Sequence, residues 1–154
     1  MINAYMFDLD GTLANCLHRQ ELATAARIAS APEQRSKKWN EYFEQCHLDT
    51  PYQDVVALLQ TLRQSTTVII LSGRSDSVRM KTQEWLLTHV GGGLPLHMRP
   101  AKDHSPDDFM KERMYNKYVK PFYNVLGVFD DRDRVVAMWR RLGLRCYQVQ
   151  PGNF

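Results

Sequence analysis

Cysteine is scarce in these 154 residues: Cys16, Cys46 and Cys146 are scattered, odd in number and without CxxC spacing. That argues against a disulfide framework or a cysteine-built zinc site and fits a reducing cytoplasm. No apolar run approaches the roughly 20 residues that a membrane helix needs; Val68-Ile69-Ile70-Leu71 is only strand length. The start, Met1-Ile2-Asn3-Ala4, lacks the basic-then-apolar pattern of a secretion signal, so a cytoplasmic protein without membrane association is expected. No GxxxxGK[ST] loop occurs, which removes P-loop phosphate binding from these residues. Repeats and low-complexity tracts are also missing. The net charge of +3 permits an anionic substrate without indicating nucleic acid. What is there, 44% hydrophobic and 24% charged residues, is the composition of one ordinary globular domain with a real core.

Strand candidates recur at Ile2–Phe7, Thr67–Leu71, Leu94–Met98, Val125–Phe129 and Leu144–Val149. Amphipathic segments fall between them at Pro51–Gln64, Ser75–His89, Pro106–Lys120 and Arg132–Leu142. In the last of these, Val135, Val136, Met138, Trp139 and Leu142 follow helical spacing, and Gly143 stands where a helix would stop. Strands alternating with helices predict an α/β fold, a mostly parallel five-stranded sheet flanked by helices. The stretch from His18 to Thr50 breaks the alternation with two helix candidates, Leu22–Ile28 and Gln34–Cys46, separated by Ser30-Ala31-Pro32. Inserted after the first strand, it would sit above the carboxyl edge of the sheet as a small helical cap.

Open α/β sheets bind ligands beyond the carboxyl ends of their strands. Three polar clusters follow three predicted strands: Asp8 and Asp10, Ser72-Gly73-Arg74, and Asp130-Asp131. A lone carboxylate ending an apolar strand is costly unless a cation or hydrogen bonds receive it. In Phe7-Asp8-Leu9-Asp10-Gly11-Thr12, one carboxylate can attack phosphorus while the other protonates the leaving oxygen and later activates water. Gly11 permits the tight turn, and Thr12 adds a hydroxyl and backbone donors. Ser-Gly-Arg alone reads as a turn, but its place after Val68–Leu71 makes it an anion site, with Arg74 adding a charge-assisted contact. Asp130 and Asp131, with Asp8, supply the hard oxygens that Mg²⁺ prefers; Asp131 could equally cap the following helix. Asp107 and Lys111, spaced i,i+4, share a helix face. They form either a surface ion pair or an active-site pair, and spacing does not choose between the two.

Taken together, Asp8-Leu9-Asp10-Gly11-Thr12, Ser72, a helical lysine and Asp130-Asp131 resemble the haloacid dehalogenase superfamily of aspartyl-phosphate phosphatases. Within it the chain most resembles the 3′-phosphatase domain of phage-type polynucleotide kinase-phosphatases. Asp107 to Glu112, Tyr115 to Tyr118, Phe129 to Arg132 and Met138 to Gly143 carry much of that likeness, as do Cys146 to Val149 and Gly152 to Phe154. The resemblance implies Asp8 as nucleophile and metal ligand, and Asp10 as general acid/base that reaches the metal through its backbone carbonyl. It implies Ser72 and Lys111 on the phosphate, Arg19 and Arg74 on phosphate or substrate, Asp107 orienting Lys111, and Asp130 and Asp131 on Mg²⁺. The expected substrate is a nucleic-acid 3′-phosphate end or a mononucleotide, in a host's cytoplasm for a phage-encoded protein. Without a P-loop in the sequence, a separate kinase partner would supply any kinase step.

The resemblance is weakest over Gln20–Cys46. There Arg35, Lys37, Lys38 and Trp39 read either as a nucleic-acid path with a stacking tryptophan or as a solvated basic face with a core tryptophan. A receiver-like signalling module would place its acidic pair before the phosphorylated aspartate, the reverse of the order here. A haloalkanoate dehalogenase has no use for Asp10.

Overall fold

The computed structural model describes residues 1–154. In chain order the regular elements are β1 (Ile2–Phe7), β2 (Ala14–Asn15), α1 (Gln20–Ile28), α2 (Pro32–Glu44), β3 (Thr50–Pro51), α3 (Gln53–Leu62) and β4 (Thr67–Ser75). They continue with α4 (Arg79–His89), β5 (Leu96–Arg99), α5 (Asp107–Met114), β6 (Tyr123–Asp130), α6 (Asp133–Arg141) and β7 (Cys146–Gln148). β5-β4-β1-β6-β7 form one sheet, every neighbouring pair parallel. All five strand ends that point the same way are therefore available to one site.

Period-two alternation divides the core between the sheet's two faces. Ala4, Met6, Ile69 and Leu71 pack with Met110, Val135 and Trp139, so α5 and α6 cover one face. Phe7, Val68 and Ile70 pack with Val56, Leu59 and Trp85, so α3 and α4 cover the other. Strands buried on both faces need the continuous apolar runs that the sequence carries at Val68–Leu71. The apolar stripe of α6 is buried as its spacing predicts, and Gly143 follows at φ 82°, a left-handed turn that a side chain would strain.

Most boundaries shift by a few residues, α4 for instance starting at Arg79 rather than Ser75, and three differences bear on the site. β4 runs on through Ser75, so Ser72-Gly73-Arg74 is strand rather than turn. The helix expected to reach Lys120 is α-helical only to Met114 and finishes as a π-helical turn over Tyr115–Val119. β7 is limited to Cys146–Gln148. Between His18 and Thr50 the two expected helices are present as the packed pair α1 and α2, with Pro32 at the start of α2, where its missing N–H is harmless. Antiparallel pairing of Ala14 with Pro51 and Asn15 with Thr50 closes the base of this hairpin.

Candidate active site

The parallel register brings Asp8, just past β1, beside Asp130 at the end of β6; the Asp8 N–H donates to the Phe129 carbonyl at 2.9 Å. One oxygen from each of Asp8, Asp130 and Asp131 can be chosen so that all lie within 4.8 Å of one another, and all three residues are buried. Close, buried, hard-oxygen donors of this kind could hold a divalent cation. Lys111, only 2% exposed, reaches across from α5 to Asp8 Oδ1 at 2.8 Å and Asp130 Oδ2 at 3.0 Å. Its distance to Asp107 is 3.8 Å, so the pair left open by spacing belongs to the site's interior rather than to the surface.

One ammonium does not balance these acids. Burial, then Asp130 and Asp131, push Asp8 well above the ordinary carboxylate range against the pull of Lys111. Burial and Asp130 push Asp131 up to about 7. Burial works against the charge of Lys111, but Asp130 and Asp8 outweigh it and hold the ammonium firmly protonated.

Backbone geometry sets the acids in place. A Cβ on Gly11, at φ +83°, would stand 2.1 Å from Asp131 Oδ2, so only glycine lets that carboxylate lie against the turn. Asp131 is not the cap of α6: the flanking residue is Arg132, and the helix's Asp133 N–H donates to the Gly152 carbonyl at 2.8 Å. The chain beyond β7 thus satisfies the helix end, and the Asp131 carboxylate stays in the site. Thr12 is fully buried, with its hydroxyl donating to Asp8 Oδ2 at 3.2 Å. Ser72 is buried as well, its hydroxyl oxygen accepting from the Arg74 N–H at 3.1 Å. Gly73 lies against Asp107, whose Oδ1 would be 2.3 Å from an added Cβ.

Asp10 stands in different company. Arg19 Nη2 donates to its Oδ1 at 2.7 Å, and Arg74 Nη2 donates to the same oxygen. Burial alone would raise Asp10, but Arg74 and Arg19 bring it down to about 2. Behind it lies Asp49, buried and not singled out by the sequence. It accepts from Arg19 at 2.8 and 2.6 Å and from Arg74 at 3.1 Å, while His18 Nε2 lies 2.8 Å from Oδ1. Asp49 stands alone before a two-residue strand, and no local pattern signals it. Trp139 was legible only as a core position of α6, yet its indole N–H donates to Asp130 Oδ2 at 3.1 Å.

Asp8, Asp10, Lys111 and Asp131 line a cavity of about 880 Å³ whose lining also includes Arg35 and Trp39 of α2. The four-residue set proposed for that helix is divided: Lys37 and Lys38 do not line the cavity, and Lys38 pairs with Glu41 at 3.5 Å.

The parallel sheet and this strand-end site define a haloacid dehalogenase-type hydrolase fold. A dehalogenase-superfamily enzyme of Bacteroides thetaiotaomicron, solved in complex with magnesium and inorganic phosphate, shares that fold at TM-score 0.53 and 15% identity, covering 100% of this chain and 97% of the other. Residues 2–154 match the family described as the polynucleotide kinase PNKP phosphatase domain, and the chain belongs to that family. A chain solved in a Pnkp1/Rnl/Hen1 RNA repair complex is 30% identical at TM-score 0.81, over 100% of this chain and 44% of that one. A protein of Autographa californica nuclear polyhedrosis virus, described as a bifunctional polynucleotide kinase/RNA ligase, is 30% identical over 142 residues, 90% of this chain and 18% of the relative. This chain thus spans less than half the length of either relative. No helix in it is long and apolar enough to cross a membrane.

Proposed function

We propose that this chain is a Mg²⁺-dependent phosphatase of polynucleotide 3′-phosphate ends that works through a phospho-aspartate on Asp8. The observation that carries the reading is the position of Asp8, in contact with Lys111, close to Asp130 and Asp131, and two residues from an arginine-held Asp10. Family membership and a relative solved in an RNA repair complex support the substrate class. A mononucleotide is the second reading, because a cavity of about 880 Å³ also accommodates one.

Asp8, Asp130 and Asp131 would hold the ion, with Asp10 adding its backbone carbonyl. When bound, the ion supplies positive charge that offsets the acids' repulsion and draws charge from the phosphoryl group. The carboxylate of Asp8 attacks phosphorus while the bond from phosphorus to the leaving oxygen breaks, and Asp10 gives that oxygen a proton. Asp10 then takes a proton from water, the water oxygen attacks phosphorus, and the bond to Asp8 breaks to release inorganic phosphate. Thr12 steadies Asp8 through its hydroxyl, and Lys111, oriented by Asp107, neutralises Asp8 and a phosphate oxygen. Gly73, near the end of β4 and on the cavity wall, receives the phosphate, with the buried Ser72 hydroxyl beside it. Arg19 and Arg74, buried behind Asp10 and off the cavity wall, keep it ionised and act through it, and the negative charge of bound substrate raises Asp10's proton affinity so that it can carry the proton.

The hairpin of α1 and α2 serves as the small cap. A kinase step, where one accompanies this reaction, comes from residues outside these 154 or from a separate partner. Three buried free thiols suit the cytoplasm. The test is phosphate release from a 3′-phosphorylated oligonucleotide set against 3′- and 5′-mononucleotides, with and without chelator. Oligonucleotide turnover no better than that of an aryl phosphate would reject the polynucleotide reading. Full activity after verified metal removal would reject the Mg²⁺ assignment.

A further inference from the structure

Beyond the carboxylates, the cavity changes character. Its more buried cations are partnered: Lys111 with Asp8, Arg99 with Asp107 at 3.2 Å, Arg132 with Asp107 at 3.7 Å. Three of its outer cations, Arg27, Arg35 and Lys102, are exposed and have no carboxylate partner; Arg35 donates only to the Ala29 carbonyl. Trp39 lines the same cavity beside Phe43 and is half-buried, intermediate in exposure between the buried acids and these exposed charges. A continuous stack leads to it from the reacting end. Arg19, on Asp10, lies 4.2 Å over the ring of Tyr42, and Trp39 meets that ring edge-on at 5.5 Å. The exposed guanidinium of Arg27 stands 5.7 Å from the Trp39 ring centroid.

We infer that Trp39, with Arg27, is the stacking platform for the base of the nucleotide whose phosphate is removed, and that Arg35 and Lys102 hold the next phosphate of a single strand. The assignment rests on the phosphatase reading and narrows it to a single-stranded polynucleotide end. The chemistry favours this ligand over an acidic peptide or a bare sugar phosphate. An indole face and a guanidinium plane stack on any base, and unpaired cations on the outer wall suit a backbone that leaves the site by that route. Phosphate removed at the carboxylates, a base on Trp39 beyond Arg19 and Tyr42, and a second phosphate at the exposed cations follow the order of groups along a strand.

The experiment pairs one variant with one altered substrate. Oligonucleotides ending in 3′-phosphate are prepared with the terminal base present or deleted. Deleting the base should lower kcat/KM of the wild type about tenfold, the scale of one base–aromatic stack. Trp39→Ala should lower kcat/KM about as much on the intact substrate and far less on the base-free one, and Trp39→Phe should recover most of the loss. Independent losses that multiply, or equal losses of Trp39→Ala on both substrates, would overturn the assignment. Arg35→Ala should flatten the salt dependence of oligonucleotide binding by about 0.7 in slope; an unchanged slope would overturn the outer phosphate contact. Binding is read apart from turnover in an Asp8→Asn background. Trp85 and Trp139 are buried, so oligonucleotide should quench mainly Trp39 emission. Absence of quenching would sink the platform. Quenching by a wild type that releases phosphate from none of these substrates would sink the phosphatase reading instead.

Discussion

Asp8 and Asp10 are separated by one residue, both carboxylates face one cavity, and their proton affinities move in opposite directions. Burial favours the neutral form of each, so burial does not separate them. Their partners do. Asp8 shares one ammonium with Asp130 and lies near Asp131, so negative charge exceeds positive around it. Asp10 joins Asp49, Arg19 and Arg74 in a set whose charges cancel. A buried acid in surplus calls for an outside cation, whereas a buried acid in balance is held in one protonation state by its own protein. One turn of chain thus carries a side dependent on an external charge and a side complete in itself.

The sharpest break in that comparison is Asp8→Asn. Turnover should fall on the order of 10⁴-fold or more, with no labelled phospho-enzyme on quenching, because the proposed nucleophile is gone. Folding stability without metal should hold or rise, since one of the crowded charges is removed. A variant that keeps its turnover would remove the mechanism. Asp10→Asn should slow turnover about 10²- to 10⁴-fold, the usual scale for an acid/base group. Burst kinetics with a good leaving group should then show the phospho-enzyme accumulating, because such a leaving group needs no proton and the proposed role left to Asp10 is activating water.

Asp49→Asn tests the balanced side through stability. Arg19 and Arg74 would be left with one carboxylate in place of two, and a broken buried pair typically costs about 3–5 kcal/mol. Urea denaturation should place most of that loss in the midpoint. A loss under about 1 kcal/mol would mean that Asp10 alone satisfies both arginines, and the balance described here would not hold.

The two sides were unequally legible in the sequence. Asp8, Lys111, Asp130 and Asp131 follow apolar strands or share a helix face with an acid, and strand ends in a parallel sheet converge whatever the loops do. The expected elements fell close to their places because strands buried on both faces and an amphipathic α6 have strong periodic signatures. Asp49 had none: its role exists only because the α1 and α2 hairpin returns it to Arg19, 30 residues away in sequence. Trp139 followed helical spacing so well that its hydrogen bond to Asp130 was hidden behind its core position. The backbone of Ser72-Gly73-Arg74 was misread. Gly73 suggests a turn, whereas here the missing side chain makes room for Asp107 on an extended strand.

The smallest effect, and the one that sharpens the comparison most, couples Mg²⁺ to pH. The metal-free fold holds a proton on Asp131 up to about 7, whereas the ordinary carboxylate value is 3.8. Between those values the folded protein binds a proton that the unfolded chain has released, so Asp131 lowers stability progressively as pH rises through that window. Asp8, also raised, acts in the same direction. A divalent ion competes with these protons, so its stabilisation should grow with pH. At a concentration about 100 times its dissociation constant the ion adds about 2.7 kcal/mol, a rise of roughly 5–10 °C in Tm for a domain of this size. Thermal melts with and without Mg²⁺ should show that rise at pH 8 and a much smaller one at pH 5, while Asp131→Asn should remove most of the difference. Equal shifts at both pH values would mean that the surplus charge around Asp8 is neutralised within the protein, and the two sides of the Asp8-Leu9-Asp10 turn would no longer differ in kind.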